Sequence, residues 1–141
     1  MKGSLGELLT FAGGDNIASK TVHGVFGKLN EETVIMAQPE VYIATGAGAA
    51  EDQNDLKLGP DITPQMARQS LRELTGKQNG LRELKALHNG RTGIIWQNFY
   101  LSPWHVAATE FLAKTLYPEV FADIEPEQTL KQIFDDYLPI P

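Results

Sequence analysis

Apolar positions recur along this chain at helical spacing in several stretches. Leu5, Leu8, Leu9 and Ala12 fall on one face, opened by Ser4 and Glu7 at capping-box spacing and closed by Gly13-Gly14. A second short helix is predicted from Asn30 to just before Pro39. Thr63-Pro64 starts a third, with Ala67, Leu71 and Leu74 on its inner face and Gly76 at its end. One or two further turns are predicted over Leu81 to Leu87, ended by Asn89-Gly90. Ser102-Pro103 opens the clearest helix, in which Trp104, Ala107, Ala108, Phe111, Leu112 and Thr115 recur and Pro118 lies beyond the end. The last helix begins at Pro126 and sets Leu130, Ile133, Phe134, Tyr137 and Leu138 on one stripe.

Two short runs of β-formers break this pattern. Val41 to Thr45 and Thr92 to Trp96 are apolar with little alternation, as expected of strands covered on both faces of a parallel sheet. A third strand is expected around Asn16 to Ala18. Strands alternating with helices imply right-handed crossovers, hence an α/β fold: a three-layer αβα lobe with a small, mainly parallel sheet. The Val41 and Thr92 strands are expected to be parallel and adjacent or nearly so. So few strands hint that a piece of the sheet is missing. Residues 46–63 form a long loop, which in a small domain is functional or mobile.

The length of 141 residues fits a single lobe, 1–141. A net charge of -6 with no Lys/Arg run argues against nucleic acid as a partner. No apolar stretch reaches the roughly 20 residues of a membrane helix, and the start does not resemble a signal peptide. That start suits a cytoplasmic protein or an excised fragment. The absence of cysteine excludes disulfides and thiolate chemistry.

Catalytic constellations fail one by one. Gly46-Ala47-Gly48 follows a strand, but Glu51 stands where a dinucleotide fingerprint needs its third glycine. His23, His88 and His105 lack metal-ligand spacing. No G-x-S-x-G elbow exists, and Asp135-Asp136 lie on a solvated helix side. The reading is of a binding protein, with no catalytic residue, intrinsic metal or cofactor. The segment Trp96 to His105 stands out, because it joins the carboxyl end of a strand to a helix start, the edge where α/β sheets bind ligands. Trp96, Asn98, Phe99, Tyr100 and His105 are candidates for an apolar, hydrogen-bonding wall. Equally, Trp96 and Trp104 suit the strand and helix core.

Several motifs together resemble one family. Gly3-Ser4-Leu5-Gly6-Glu7-Leu8-Leu9 with Ala12-Gly13-Gly14-Asp15-Asn16-Ile17-Ala18 is similar to the opening of the C-terminal lobe of periplasmic substrate-binding proteins of ABC importers. The subclass is the one for iron–siderophore complexes, haem and cobalamin. Pro39-Glu40-Val41-Tyr42-Ile43-Ala44-Thr45-Gly46, Asn89-Gly90-Arg91 with the strand to Trp96, and Leu116-Tyr117-Pro118-Glu119 extend the likeness across nearly the whole chain. The resemblance implies half of a two-lobed, helical-backbone binding protein, with the N-terminal lobe, the linking helix, the strand before the Gly-Ser-Leu helix and the signal segment absent from this chain. It implies a periplasmic or extracytoplasmic full-length protein and a ligand held between lobes: an iron(III) chelate, haem or cobalamin. Cleft-facing loops carry over onto Thr45, Gly46, Ala47 and Gly48, and onto Trp96 to Tyr100. A docking glutamate for the importer permease carries over onto Glu7, whose other role is the capping box. Arg91 reads as structural. The competing readings are a non-catalytic doubly wound domain of a cytoplasmic multisubunit enzyme and, more weakly, a receiver-like signalling domain.

Overall fold

A parallel pair of strands lies between helical layers in the computed structural model, which describes residues 4–23, 27–46, 56–78, 80–100 and 102–138. In chain order the elements are α1 (Ser4–Phe11), α2 (Glu31–Ala37), β1 (Tyr42–Gly46), α3 (Pro64–Lys77), a 3-10 turn (Leu81–Glu83), α4 (Lys85–His88), β2 (Thr92–Trp96), α5 (Gln97–Tyr100), α6 (His105–Leu116) and α7 (Pro126–Tyr137). The Ser4 side chain, and with it the capping box, lies outside what is described.

β1 and β2 pair in parallel, with Tyr42 opposite Thr92, Ala44 opposite Ile94 and Gly46 opposite Trp96. Alternation along the strands sends Tyr42, Ala44, Ile94 and Trp96 to one face. There they pack on Leu56, Leu58, Ala67 and Leu71, the last two from α3. The opposite face lies under α6. A Cβ on Gly93 would sit 3.1 Å from Thr115 and 3.3 Å from Phe111, so the glycine gives that helix a close approach. The result is the three-layer α/β arrangement expected. Cover is thinner than the composition of the strands predicts, since most of β1 is half-buried and Thr45 is exposed. In β2 only Gly93 and Ile95 are buried. Among the described residues both strands are edge strands, so each keeps one side open.

The third strand expected near Asn16 does not form. The Asn16 side chain accepts a hydrogen bond from the Ala18 amide at 3.0 Å, and its carbonyl accepts from Ser19 at 2.9 Å. A local asparagine turn therefore takes the backbone groups that a ladder needs. Of the loop after β1, residues 47–55 lie outside the described residues, and its described end is core. Leu56 and Leu58 are buried, held by Ser70, whose hydroxyl accepts from the Lys57 amide at 3.1 Å and donates to the Ala67 carbonyl at 2.8 Å.

Caps behave as the sequence predicts for α2 and α3, where Asn30 accepts from the Glu32 amide and Thr63 from the Met66 amide. α3 runs through Gly76 to Lys77 rather than stopping at it. α6 starts later than Ser102-Pro103, because the Ser102 hydroxyl accepts from the Trp104 amide and holds a turn there first. α6 buries Ala107, Ala108, Leu112 and Ala113. Its last turn is fastened by Arg91, which donates to the Leu116 carbonyl at 2.9 Å, and by Lys114, which donates to the Ile124 carbonyl at 2.7 Å. Arg91 thus has the structural role read from the sequence. Two of the motifs meet where the Tyr117 hydroxyl donates to the Gly13 carbonyl at 2.5 Å, beyond the end of α1. α7 leans on α6, but the predicted stripe is incomplete, with Tyr137 76% exposed.

Candidate functional site

The parallel pairing puts the carboxyl ends of β1 and β2 side by side, and the segments that follow them meet. The Thr45 and Tyr100 hydroxyls, 55 residues apart in sequence, lie 3.1 Å from each other. Gly46, buried, ends β1 opposite Trp96. Ala47 and Gly48 lie outside the described residues.

Immediately after β2 the chain winds into the single helical turn α5. No cap or long periodicity marks it in Gln97-Asn98-Phe99-Tyr100, so the sequence reading treats this segment as a connection. The turn matters because it sorts the side chains. Trp96 and Phe99 point inward, their rings 6.0 Å apart in an edge-to-face contact. Phe99 meets Trp104 at 5.8 Å, and Trp104 meets Phe134 of α7 at 5.4 Å. Such ring contacts contribute on the order of 1 kcal/mol each beyond burial, so this row is a stiff wall.

The wall borders a groove of about 850 Å³ that is also lined by Leu58, Ile62, Leu71, Arg68 and Arg72. Each of the two tryptophans is half-buried in packing and also lines the groove. The sequence pattern marks Phe134 only as part of a helix stripe. Its place in the wall depends on how α7 crosses α6, which no local signal reports. The indole nitrogen of Trp104 is buried without a hydrogen-bond partner among the described residues.

The remaining candidates are not in the groove. Tyr100 is half-buried with its hydroxyl on Thr45, and Asn98 is exposed. His105 is exposed at the start of α6, its Nδ1 3.1 Å from the Ser102 carbonyl. The structure therefore divides the ten-residue segment into aromatic side chains that line the groove and polar side chains that do not. Glu7 is exposed on α1. Among the described residues no group of three His, Asp or Glu side chains is placed to hold a metal ion. The chemistry on offer is ring faces, two hydroxyls and an amide, which suits contact with an organic surface.

No family model and no curated protein matches the sequence. Among solved structures the chain is similar to the TroA-like periplasmic binding protein FepB from Veillonella parvula, at 30% identity and a TM-score of 0.90 over 98% of this chain. It spans 39% of the length of that protein. The fold is thus that of a lobe of a TroA-like periplasmic binding protein, in agreement with the resemblance to the C-terminal lobe. The similarity is to a binding protein.

Proposed function

We propose, with the lobe of a TroA-like periplasmic binding protein as the premise, that this chain is one wall of an extracytoplasmic solute receptor serving an ABC importer. Its ligand is a ferric siderophore or related metal chelate, gripped between this lobe and a second one. The observation that carries the reading is the hydroxyl contact between Thr45 and Tyr100, because open α/β sheets bind ligands off the carboxyl ends of their strands. The aromatic row behind it supports an organic ligand whose metal is already coordinated, so the protein needs no metal-ligating side chains of its own. In this reading Asn98 and Tyr100, with Thr45 and Gly46, face the ligand periphery and His105 flanks them. Trp96 and Phe99 form the floor, and Glu7 docks onto the importer permease.

Both tryptophans of the chain lie in the aromatic row, so intrinsic fluorescence reports the site directly. Titrating the full-length protein with ferric catecholate and hydroxamate chelates should give saturable quenching by one of them. Tyr100→Ala should weaken that binding by about fivefold, the equivalent of one lost aromatic contact. Unchanged affinity in both Tyr100→Ala and Asn98→Ala would remove the proposed wall. The isolated lobe should bind much more weakly than the full-length protein, because half of the ligand surface stays in water.

A further inference from the structure

The groove extends well past the strand ends. Thr92, Gly93 and Ile94 are consecutive in β2 and turn to alternate faces, yet all three line it, as do Gly90 and Trp96. A groove that meets both faces of a strand runs along its edge, here the side of β2 that is not paired with β1. Five residues of strand make that edge about 17 Å long. The volume of about 850 Å³ falls within the usual size of a small-molecule pocket, roughly 300–1,000 Å³.

The lining is apolar with a few polar groups that lack partners. Arg68 and Arg72 stand one turn apart on α3, and neither forms an ion pair among the described residues. Glu127 is the only acid among the described lining residues, so the groove carries an excess of positive charge in a chain of net charge -6. The Trp104 indole N–H is buried there without an acceptor among the described residues. A buried donor left unpaired is costly, which makes an acceptor in the groove favourable.

We infer that the groove is a second binding site, for an organic anion with one carboxylate head and an elongated apolar body. The planar guanidiniums of Arg68 and Arg72 match a carboxylate in shape and charge and hold the head. Leu71, Trp104 and Phe134 bury the body, and the indole N–H offers a further donor. A cation is repelled by the arginines. A neutral body of the same shape leaves them without an acceptor, and a small polar anion leaves the rings in water. The site shares Trp96 and Phe99 with the proposed chelate site but none of its polar groups, since Thr45, Asn98, Tyr100 and His105 do not line the groove. Either site can therefore fail without the other.

Calorimetric titration of the full-length protein tests this, with dodecanoate below its micelle concentration beside dodecanol and inorganic phosphate. Dodecanoate should saturate, dodecanol should bind at least tenfold more weakly and phosphate should give no binding. The double variant Arg68→Gln, Arg72→Gln should weaken dodecanoate about tenfold and leave dodecanol unchanged, with the circular dichroism of the parent. Trp104→Phe keeps a ring and should weaken dodecanoate about threefold, as for one lost hydrogen bond. Tyr100→Ala should leave dodecanoate unchanged while weakening the ferric chelate. Dodecanoate binding that matches dodecanol, or that survives loss of both arginines, would overturn the inference. So would displacement of dodecanoate by the ferric chelate, because the groove would then belong to the first site. Absence of dodecanoate binding, as when the rest of the full-length protein fills the groove, would overturn it and leave the chelate reading standing. Dodecanoate binding with the expected arginine dependence, in a protein that binds no ferric chelate, would support it and remove the chelate reading alone.

Discussion

α6 and α7 are the same length, 12 residues each, and pack against each other, yet α6 buries four residues and α7 buries none. The less buried helix has the cleaner division of apolar and polar faces, with Leu130, Ile133 and Phe134 set against Lys131, Asp135 and Asp136. Segregation of residues along a helix therefore shows which side turns inward, not how deeply it goes. Depth comes from the number of neighbours. α6 is pressed by β2 on one side and by α1, α5 and α7 on others, whereas α7 rests mainly on α6. That difference has a use. The deep helix fixes Trp104, and the shallow one presents Phe134 to it as the last ring of a wall open to a groove.

Cutting the core on each side tests this contrast most sharply. Leu112 is 0% exposed at the centre of α6, and Leu112→Ala should cost about 2–5 kcal/mol in urea unfolding. Phe134→Ala on α7 removes a half-buried ring and should cost roughly half as much or less, by the smaller area involved. Equal losses would mean that α7 is as deep a part of the core as α6.

A smaller effect is expected where α1 meets α6. Gly13 has φ of +88°, and a Cβ there would come 3.2 Å from the Tyr117 ring. Gly13→Ala should destabilise by about 1–2 kcal/mol, from backbone conformation and crowding together. Tyr117→Phe, which loses only the hydrogen bond, should cost about 1 kcal/mol. A stable Gly13→Ala protein would show that this joint yields, and that α1 is held to α6 less firmly than the geometry requires.

The smallest effect is a pH dependence on the α3 side of the sheet. Burial pushes the Tyr42 phenol above its ordinary value of 10.0. In the folded state the proton is therefore held more tightly than in the unfolded chain. The associated stability is fully present below pH 10 and is lost as pH rises through the folded value. Urea midpoints should fall above pH 10 in the parent protein and fall less in Tyr42→Phe. The same decline in both would place the alkaline sensitivity elsewhere.

Local chemistry makes both strands and every helix but α5 legible in the sequence. Asn30 and Thr63 cap where their side chains lie within reach of the next amides, and Gly90 takes a φ of +68° at the end of α4. The parallel order of the strands followed from the helices between them, since a crossover of that length returns the chain in the same direction. Asn16 misled for a local reason too. Its side chain competes with the backbone for the Ala18 amide, and the composition of the run does not reveal which wins.

The candidate site was legible in its address but not in its division of labour. Strand ends identify an edge, and Trp96 to His105 lies there. Which side chains line the groove and which stay outside it depends on the helical turn α5 and on the angle at which α7 crosses α6. Those are set by packing between residues up to 55 positions apart, such as Thr45 with Tyr100. By itself the sequence determined both strands and the helices other than α5, because each depends on neighbours within a few residues, and the helices between the strands then gave their parallel sense. Only the tertiary structure decided that α6 is deep and α7 shallow and that the Trp104 and Phe134 rings meet. Burial is a property of what packs on a residue from elsewhere in the chain, and no local pattern encodes it.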